Sequence, residues 1–382
     1  MKNLGPAFIL GRMGIDNFGT WLEIKLSTLE NNFKVISNLT GCLVMPVVKA
    51  NAYGHGLERA AACLEKAGAK WFGVARIEEA LALRAAGIQS NILVLGYTSP
   101  VRVPHALKEN ITLTVYDFSV AESYSKQAGA LESPVNIHAK IDTGMGRLGI
   151  QDKFAENFIS LLHKNKWLNL QGIFTHFARA DEPEANTTKN QIERFGKIIS
   201  NLQEAGICPE IIHAANSAGA IEFPESRFNM VRVGIGLYGL SPSKSVNLPP
   251  SIDPALSWKT RLISIKELEK GHGVSYGFSY YTKKKERIGV IAVGYGDGFR
   301  RQPGNKVLIR GKIADVVGNV CMDQSMVQID HIPDAEIGDE VVLIGSQNGK
   351  EITATDIADR WNTINYEVIC GLASRMPRYY LK

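Results

Sequence analysis

Lys49 closes the apolar run Val47-Val48-Lys49. An amine held against apolar walls is disfavoured in its charged form, which is what a lysine that condenses with a carbonyl requires. From position alone, a lysine snorkelling at the rim of an apolar core is an equal reading. Arg232 stands inside Met230-Val231-Arg232-Val233, where a permanent cation needs an acceptor to offset its desolvation. The ring nitrogen of a ligand could be that acceptor, and so could helix carboxylates if the side chain faces outward. Asn216-Ser217 follows another apolar run with a hydroxyl placed to cap a helix, and Gly234-Ile235-Gly236 lets backbone approach a ligand closely. Each alone is an ordinary cap or turn; together they suit an anion such as a phosphate. His176 ends Ile173-Phe174-Thr175-His176, where a lone histidine is more often a hydrogen-bonded core residue than a catalyst.

The elements that must position these residues recur as an alternation of short β-branched or apolar runs with helix-like stretches. The runs end at Ala50, Arg76, Tyr97, Asp117, Asp142, His176, Asn216 and Gly236. About eight such strands suit a closed parallel (β/α)8 barrel of the TIM type, whose active site lies at the C-terminal ends of the strands. Helical patterns run from Leu57 to Ala67, Ile77 to Ala86, Phe154 to Leu162 and Gln191 to Ala205, with Gly68, Gly87 and Gly206 as stops. In such a barrel, the loops after the seventh and eighth strands are the usual phosphate site, and Ser217 and Gly234 fall there. An open doubly wound sheet is the competing topology. It would want G-x-G-x-x-G after the first strand, where the chain has Lys49-Ala50-Asn51-Ala52-Tyr53-Gly54-His55-Gly56 instead.

Past Leu240 the texture changes. The segment SPSKSVNLPPSIDP is a Pro- and Ser-rich boundary, and beyond Trp258 come strand-like runs punctuated by glycine, with one short helix from Ala354 to Arg360. The expected architecture is therefore an α/β barrel over residues 1–255, with residues 1–20 as an N-terminal extension, and a mainly β domain over residues 256–382. At 382 residues the chain has room for both, since domains run to about 100–200 residues.

Composition excludes several classes. With 45% apolar and 21% charged residues the chain can bury a sizeable core, so disorder is not expected. The net charge of +5 is spread out except at Lys283-Lys284-Lys285-Glu286-Arg287, which reads as a solvated loop rather than a nucleic-acid patch. The five cysteines show neither Cys-x-x-Cys pairs nor zinc spacing, which fits a reducing cytoplasm. No apolar stretch near the N-terminus is long enough for a signal sequence or a membrane span. Metal chemistry fits poorly: H-E-x-x-H is absent, and His55, His105, His138 and His213 are not spaced as ligands.

A strand-end lysine, a phosphate cradle after the last strands and a buried arginine together look like pyridoxal 5′-phosphate chemistry: an aldehyde anchor, a phosphate clasp and a partner for the pyridine nitrogen. At this point the chain resembles the alanine racemases closely, from Trp21 to its C-terminus. The most specific stretch is Val47-Val48-Lys49-Ala50-Asn51-Ala52-Tyr53-Gly54-His55-Gly56, which is similar to that family's cofactor-attachment signature. Further similar stretches are Lys140 to Arg147, Thr175 to Ala178, Ala215-Asn216-Ser217, Val231 to Gly239, Val274 to Gly277, Cys321 to Gln324 and Asn365-Tyr366-Glu367.

The resemblance implies that Lys49 forms the internal aldimine and then acts as base on one face of the substrate, with Tyr276 acting on the other. Inverting a stereocentre by removing and returning a proton needs an acid/base on each side. In that family the tyrosine comes from the neighbouring subunit, so Tyr276 and Met322 would complete a partner's site and a homodimer would be obligatory. Tyr53, Asn216, Ser217, Tyr366 and the backbone of Gly234 and Ile235 match the cofactor-binding positions, most of them at the phosphate. Arg232 matches the pyridine-nitrogen partner. An arginine there keeps that nitrogen largely unprotonated, which weakens the electron sink and should limit stray transamination. Arg147 would hold the substrate carboxylate, Lys140 matches a lysine that members often carry as a carbamate, and His176 matches the histidine beside the pyridine ring. Tyr295 matches the entryway tyrosine, and Tyr366 follows the alanine-preferring rather than the serine-preferring pattern. The implied function is interconversion of L- and D-alanine for peptidoglycan, with a small-molecule substrate and no nucleic-acid or membrane partner. The competing readings are a broader-specificity racemase or a decarboxylase on the same plan, and a non-catalytic cofactor carrier. A decarboxylase should show a carboxylate where Arg232 stands, and a carrier should lack the second domain.

Overall fold

The structure is a computed structural model that describes residues 19–182, 184 and 186–382. The extension from Met1 to Phe18 lies outside them. By its contacts the chain divides into two compact units: Thr28–Asp253, and Pro254–Lys382 together with the described residues up to Ser27.

The described residues open with β1 (Thr20–Lys25), and α1 (Leu26–Thr40) leads into the first unit. There β2 (Leu43–Pro46) is followed by α2 (Leu57–Lys66), β3 (Trp71–Val74), α3 (Ile77–Ala85), β4 (Asn91–Val94), α4 (Val103–Lys108) and β5 (Ile111–Val115). Next come α5 (Phe118–Ala130), β6 (Val135–Asp142), the short β7 (Ile150–Gln151), α6 (Ala155–Lys164) and β8 (Leu168–Phe174). The unit ends with α7 (Thr187–Glu204), β9 (Ile211–His213), α8 (Ser217–Glu222) and β10 (Met230–Val233).

Eight of these strands are parallel neighbours in the order β2-β10-β9-β8-β6-β5-β4-β3, and a parallel bridge between Val47 and Gly73 completes the circuit. The eight runs read from the sequence are these eight strands. Strands covered on both faces carry near-continuous apolar residues, and every position of Trp71–Val74 and Ile111–Val115 is buried. Met45, Trp71, Leu93, Ile211 and Met230 pack together as one cluster of this core. The helices face the barrel with a single stripe: Gln191, Phe195, Ile198, Ile199 and Leu202 of α7 recur at helical spacing and are buried. Asp117 starts α5 by accepting from the Val120 N–H at 2.8 Å. Helices end where expected at Gly68, Gly87 and Gly206, all with positive φ.

The second unit is mainly β. It holds β11 (Leu256–Leu268), β12 (Gly273–Val274), β13 (Tyr280–Tyr281), β14 (Glu286–Ile291), β15 (Lys306–Ile309), β16 (Lys312–Val317), β17 (Ser325–Gln328), β18 (Glu340–Gln347) and β19 (Lys350–Ile352). They are followed by α9 (Ala354–Trp361), α10 (Asn365–Cys370) and β20 (Arg378–Leu381). The sheet order is β19-β18-β15-β16-β17-β14-β11-β1-β20, and β18 also pairs with β11, so the strands from β11 round to β18 close on themselves.

Two details differ from expectation. The domain division is not a single cut near residue 255: β1 pairs antiparallel with β11 and parallel with β20, so Thr20–Lys25 is a strand of the C-terminal sheet. Its six residues, TWLEIK, bury Trp21, Leu22 and Ile24 and carry no signal of which sheet they join. The expected helix at Ala354 is present, capped by a reciprocal Thr353–Asp356 pair, but α10 was not foreseen because its six residues are too few to show a helical period. Among the described residues no helix is long and apolar enough to cross a membrane.

Candidate active site

The site begins with a strained turn. Lys49 follows β2, where the Val47 N–H donates to Val233 O and the Val48 N–H to Gly73 O, both at 2.8 Å. Ala50, Asn51, Ala52 and Tyr53 then have φ of 52°, 56°, 52° and 51°, a single turn of left-handed helix built from non-glycine residues and closed by Gly54 at 83°. Each such residue costs roughly 1–2 kcal/mol, so the turn persists only where its surroundings over-determine it. Here the Ala52 N–H donates to Val48 O at 2.8 Å, the Gly54 N–H to Ala50 O at 3.1 Å, and the Leu57 N–H to Asn51 Oδ1 at 2.8 Å. Glu79 Oε1 accepts from the Ala50 N–H at 2.7 Å. The turn leaves Lys49 half-buried at the mouth of the barrel and tucks Tyr53 inward.

Tyr53 leads to the loops after β9 and β10. Ser217 is buried, and its Oγ accepts from the Gly234 N–H at 3.0 Å and the Gly236 N–H at 3.3 Å, while Asn216 Oδ1 accepts from Gly219 N–H at 2.9 Å. The Tyr53 hydroxyl lies directly over Gly234: a Cβ there would collide with it and would sit 2.9 Å from Cζ. Glycine is required at this position by close approach. A hydroxyl, a phenol and the backbone amides of Gly234 and Gly236 thus converge, the donor set that an anion with several oxygens needs.

Arg232 is buried on β10. Its Nη2 donates to Thr175 O at 2.8 Å, Ala214 O at 2.9 Å and His176 Nδ1 at 3.1 Å, and its Nη1 donates to His213 Nδ1 at 2.9 Å. Guanidinium can only donate, so both histidines accept at Nδ1 and carry their proton on Nε2. His213 Nε2 then donates to His138 Nδ1 at 2.9 Å. Burial, reinforced by Arg232, holds His176 and His213 well below the ordinary histidine range and takes His138 down to about 3, so all three are neutral. Burial lowers the Arg232 guanidinium to about 9, which leaves it cationic at neutral pH. Arg232 Nε has no acceptor among the described residues, which leaves a donor for a ligand.

Around this arginine the site is rich in positive charge. Lys140, buried on β6, lies with its Nζ 5.4 Å from the centre of the Phe174 ring. Its pKa falls to about 8, chiefly by burial, then through Arg232, Arg147 and Lys49, against the opposing pull of Asp142. Asp142 is already engaged by the N–H groups of Gly144, Met145 and Gly146 at 2.8–3.1 Å. Four cations within electrostatic reach of Lys140's position, with a single committed carboxylate, form a cluster that calls for anions.

The remaining candidates belong to the C-terminal unit. Tyr276, Met322 and Tyr295 are exposed there, and Tyr366 is half-buried in α10. Tyr276 rides on a second strained loop: Ser275 has φ 67° and Phe278 has φ 46°. Asn319 holds this loop, donating from Nδ2 to Tyr276 O at 2.7 Å and accepting at its own carbonyl from Ser275 Oγ at 2.6 Å. Tyr295 and Met322 are neighbours, because the Tyr295 N–H donates to Cys321 O at 3.0 Å and the Gly296 N–H to Met322 O at 2.8 Å.

Lys49, Tyr53, Lys140, Arg147, His176, Asn216, Ser217, Arg232, Gly234 and Ile235 are therefore gathered at one end of the barrel, and Tyr276, Tyr295, Met322 and Tyr366 in the other unit. Sequence reasoning missed the supporting groups: His213 and His138 behind Arg232, Glu79 behind the lysine turn, and Asn319 behind Tyr276. Inward-pointing histidines on β6 and β9 are visible as polar residues at apolar positions, and Glu79 as one of two acidic residues in the first turn of α3. The partners of each were not readable.

Fold and site define a barrel enzyme class with a lysine at the mouth and an anion cradle beside it, and comparison with known proteins narrows this. The family description "Alanine racemase, N-terminal domain" matches residues 24–242, and "Alanine racemase, C-terminal domain" matches residues 255–380. The chain is 43% identical over 365 residues to the alanine racemase of Symbiobacterium thermophilum, covering 94% of this chain and 97% of that one. It is 40% identical to alanine racemase 2 of Caldanaerobacter subterraneus, covering 95% of each. Among solved structures, the alanine racemase of Clostridium difficile 630 superposes with a TM-score of 0.90 at 42% identity, covering 95% of this chain and 96% of that one. The alanine racemase of Bacillus anthracis with bound L-Ala-P gives 0.90 at 39% identity, covering 95% of each. The chain belongs to the alanine racemase family.

Proposed function

We propose that this chain interconverts L-alanine and D-alanine with pyridoxal 5′-phosphate, acts as a homodimer in the cytoplasm, and supplies D-alanine for peptidoglycan. The observation that carries this reading is the cationic mouth of the barrel, where Lys49, Lys140, Arg147 and Arg232 cluster beside the Tyr53–Ser217–Gly234 cradle. These residues fit the cofactor: Lys49 toward its aldehyde, Arg232 toward its ring nitrogen, His176 beside the ring, and Tyr53, Ser217, Gly234 and Ile235 toward its phosphate. When bound, the cofactor acidifies the substrate Cα–H by drawing electrons into its ring.

The chain's own residues do the rest. Arg147 binds the substrate carboxylate, and the surrounding cations favour that anion over neutral amines. Lys49 takes or returns the Cα proton on one face, and Tyr276 of a second copy does the same on the opposite face, as inversion requires. Arg232, cationic at neutral pH and backed by neutral histidines, keeps the ring nitrogen from gaining a proton and so restrains reactions that need a deeper electron sink. It also tells against the decarboxylase alternative. Lys140, with a lowered pKa, offers a free amine to carbon dioxide, and the resulting carbamate would neutralise part of the excess charge beside Arg147. The dimer is supported by Tyr276, Phe278, Tyr281, Tyr295 and Met322, large apolar side chains exposed in the C-terminal unit.

The test is incubation with L-alanine followed by chiral separation. Both enantiomers should accumulate to equality, and Lys49→Ala should abolish this. No D-alanine from a yellow, cofactor-loaded protein would overturn the reading.

A further inference from the structure

Glu79 touches no position proposed to hold cofactor or substrate, yet it is bonded to the residue next to Lys49. It sits in the first turn of α3, where an acidic side chain commonly reaches back to the free amides before its own helix. Its Oε2 does this, accepting from the Ala75 N–H at 2.8 Å and the Arg76 N–H at 3.1 Å. Its Oε1 leaves the helix altogether and accepts from the Ala50 N–H of the preceding βα loop at 2.7 Å. One carboxylate thereby ties the loop after β3 to the first residue of the left-handed turn after β2.

The position of that bond matters. Ala50 is where the chain leaves the barrel strand and turns left-handed, and its amide belongs to the peptide linking it to Lys49. The orientation of this peptide decides from which side the lysine stem rises. Within the turn, the bonds from Ala52 N–H to Val48 O and from Gly54 N–H to Ala50 O fix the later residues, but neither engages the Ala50 N–H. Glu79 does, through an ionic acceptor, the stronger kind of hydrogen bond.

Glu65 supplies a natural control. Its Oε1 accepts from the Gln89 N–H at 2.8 Å, the Ser90 N–H at 2.7 Å and the Ser90 hydroxyl at 2.7 Å, just before β4 begins. It binds backbone as Glu79 does, but at the N-terminal end of the strands, the face opposite the mouth.

We infer that Glu79 is a positioning residue for Lys49, aligning the amine for condensation with the cofactor aldehyde by anchoring the Lys49–Ala50 peptide. This rests on Lys49 being the attachment point. The experiment compares wild type, Glu79→Gln, Glu79→Asp and Glu65→Gln as apo protein reconstituted with pyridoxal 5′-phosphate. It follows the rate of covalent capture by borohydride trapping, the pH midpoint of the cofactor's visible absorbance, and the thermal midpoint of the apo protein. A group set about 1 Å out of place costs up to about a hundredfold in rate. Both Glu79 variants should be captured at least about tenfold more slowly and show a displaced absorbance midpoint. Glu65→Gln should lose comparable thermal stability while keeping both wild-type values. Glu79→Asp keeps the charge but is one methylene short, so it reports on reach should Glu79→Gln fail to fold. Unchanged capture and absorbance in a folded Glu79 variant, or the same change in Glu65→Gln, would overturn the inference. Peptide mapping of trapped wild-type protein separates the two ideas: label on a lysine other than Lys49 refutes the attachment reading itself.

Discussion

Arg232 Nη1 and His213 Nδ1 lie 2.9 Å apart inside the barrel, and because the guanidinium can only donate, that bond settles the histidine's tautomer. His213 in turn stacks on Phe174, with ring centroids 4.7 Å apart and planes within 12°. Replacing it by phenylalanine keeps the stacking and removes both nitrogens. His213→Phe should therefore cost about 1–3 kcal/mol, the penalty for leaving a buried donor without its acceptor. A lowered thermal midpoint of the apo protein checks this, and an unchanged midpoint would show that Arg232 finds another acceptor at no cost.

The same network predicts an acid limb in the stability profile. His138, His176 and His213 all have folded-state pKa values below the ordinary histidine value, so the unfolded chain binds protons that the folded chain refuses. Stability therefore rises with pH through this window and is lost as pH falls below about 6.5, by roughly 1.4 kcal/mol per pH unit for each histidine well under its free value. Thermal midpoints measured from pH 7 down to pH 4.5 should fall with growing slope. A flat profile over that range would contradict the buried, neutral assignment.

How far such features are legible in sequence depends on whether a residue's task is local. The eight barrel strands were readable because a strand covered on both faces must be apolar, and helix stops were readable because Gly68, Gly87 and Gly206 answer a local need for positive φ. Lys49 and Arg232 were readable as polar residues ending or interrupting apolar runs. The left-handed path of Ala50 to Tyr53 was not, since only Asn51 of Ala-Asn-Ala-Tyr tolerates it readily; it is imposed by Val48 O, Asn51 and a carboxylate 29 positions further on. The membership of β1 in the C-terminal sheet is likewise set by partners more than two hundred residues away.

Gly234 tests the cradle. A methyl group there meets the Tyr53 hydroxyl and lies 2.9 Å from Cζ, so Gly234→Ala must displace the phenol or the loop. Overpacking of this kind costs about 1–3 kcal/mol. Cofactor affinity, measured by equilibrium dialysis, should weaken by about tenfold to a hundredfold, matching that cost at 1.4 kcal/mol per decade. Adding Tyr53→Phe removes the oxygen but not Cζ, so the double variant should recover only part of the loss. Full affinity in Gly234→Ala alone would show that the loop yields freely.

Lys140 carries a prediction about carbon dioxide. Its pKa of about 8 leaves a sizeable free-amine fraction at neutral pH, where an ordinary lysine has almost none. Protein equilibrated with 13C-labelled bicarbonate should give a carbamate resonance that Lys140→Gln lacks, and activity should fall when bicarbonate is rigorously removed and return when it is restored. A spectrum without that resonance, in protein whose activity ignores bicarbonate, would leave Lys140 as a buried amine only.

Tyr276 and Asn319 separate the two faces of the reaction. If Lys49 and Tyr276 handle opposite faces of the substrate, removing the phenol oxygen harms proton transfer for one enantiomer more than for the other. Tyr276→Phe should slow solvent-deuterium exchange at Cα unequally for L- and D-alanine. Asn319 holds the Tyr276 carbonyl at 2.7 Å and takes the Ser275 hydroxyl at 2.6 Å across a loop in which Ser275 and Phe278 have positive φ. Asn319→Ala removes the bond to the Tyr276 carbonyl but keeps the backbone carbonyl that takes the Ser275 hydroxyl, so it loosens that loop without touching the phenol. Its exchange defect should fall on the same enantiomer as that of Tyr276→Phe and be smaller, with the cofactor absorbance unaltered because the lysine end of the site is intact. A defect divided equally between the enantiomers, in either variant, would mean that the tyrosine is not a dedicated base for one face.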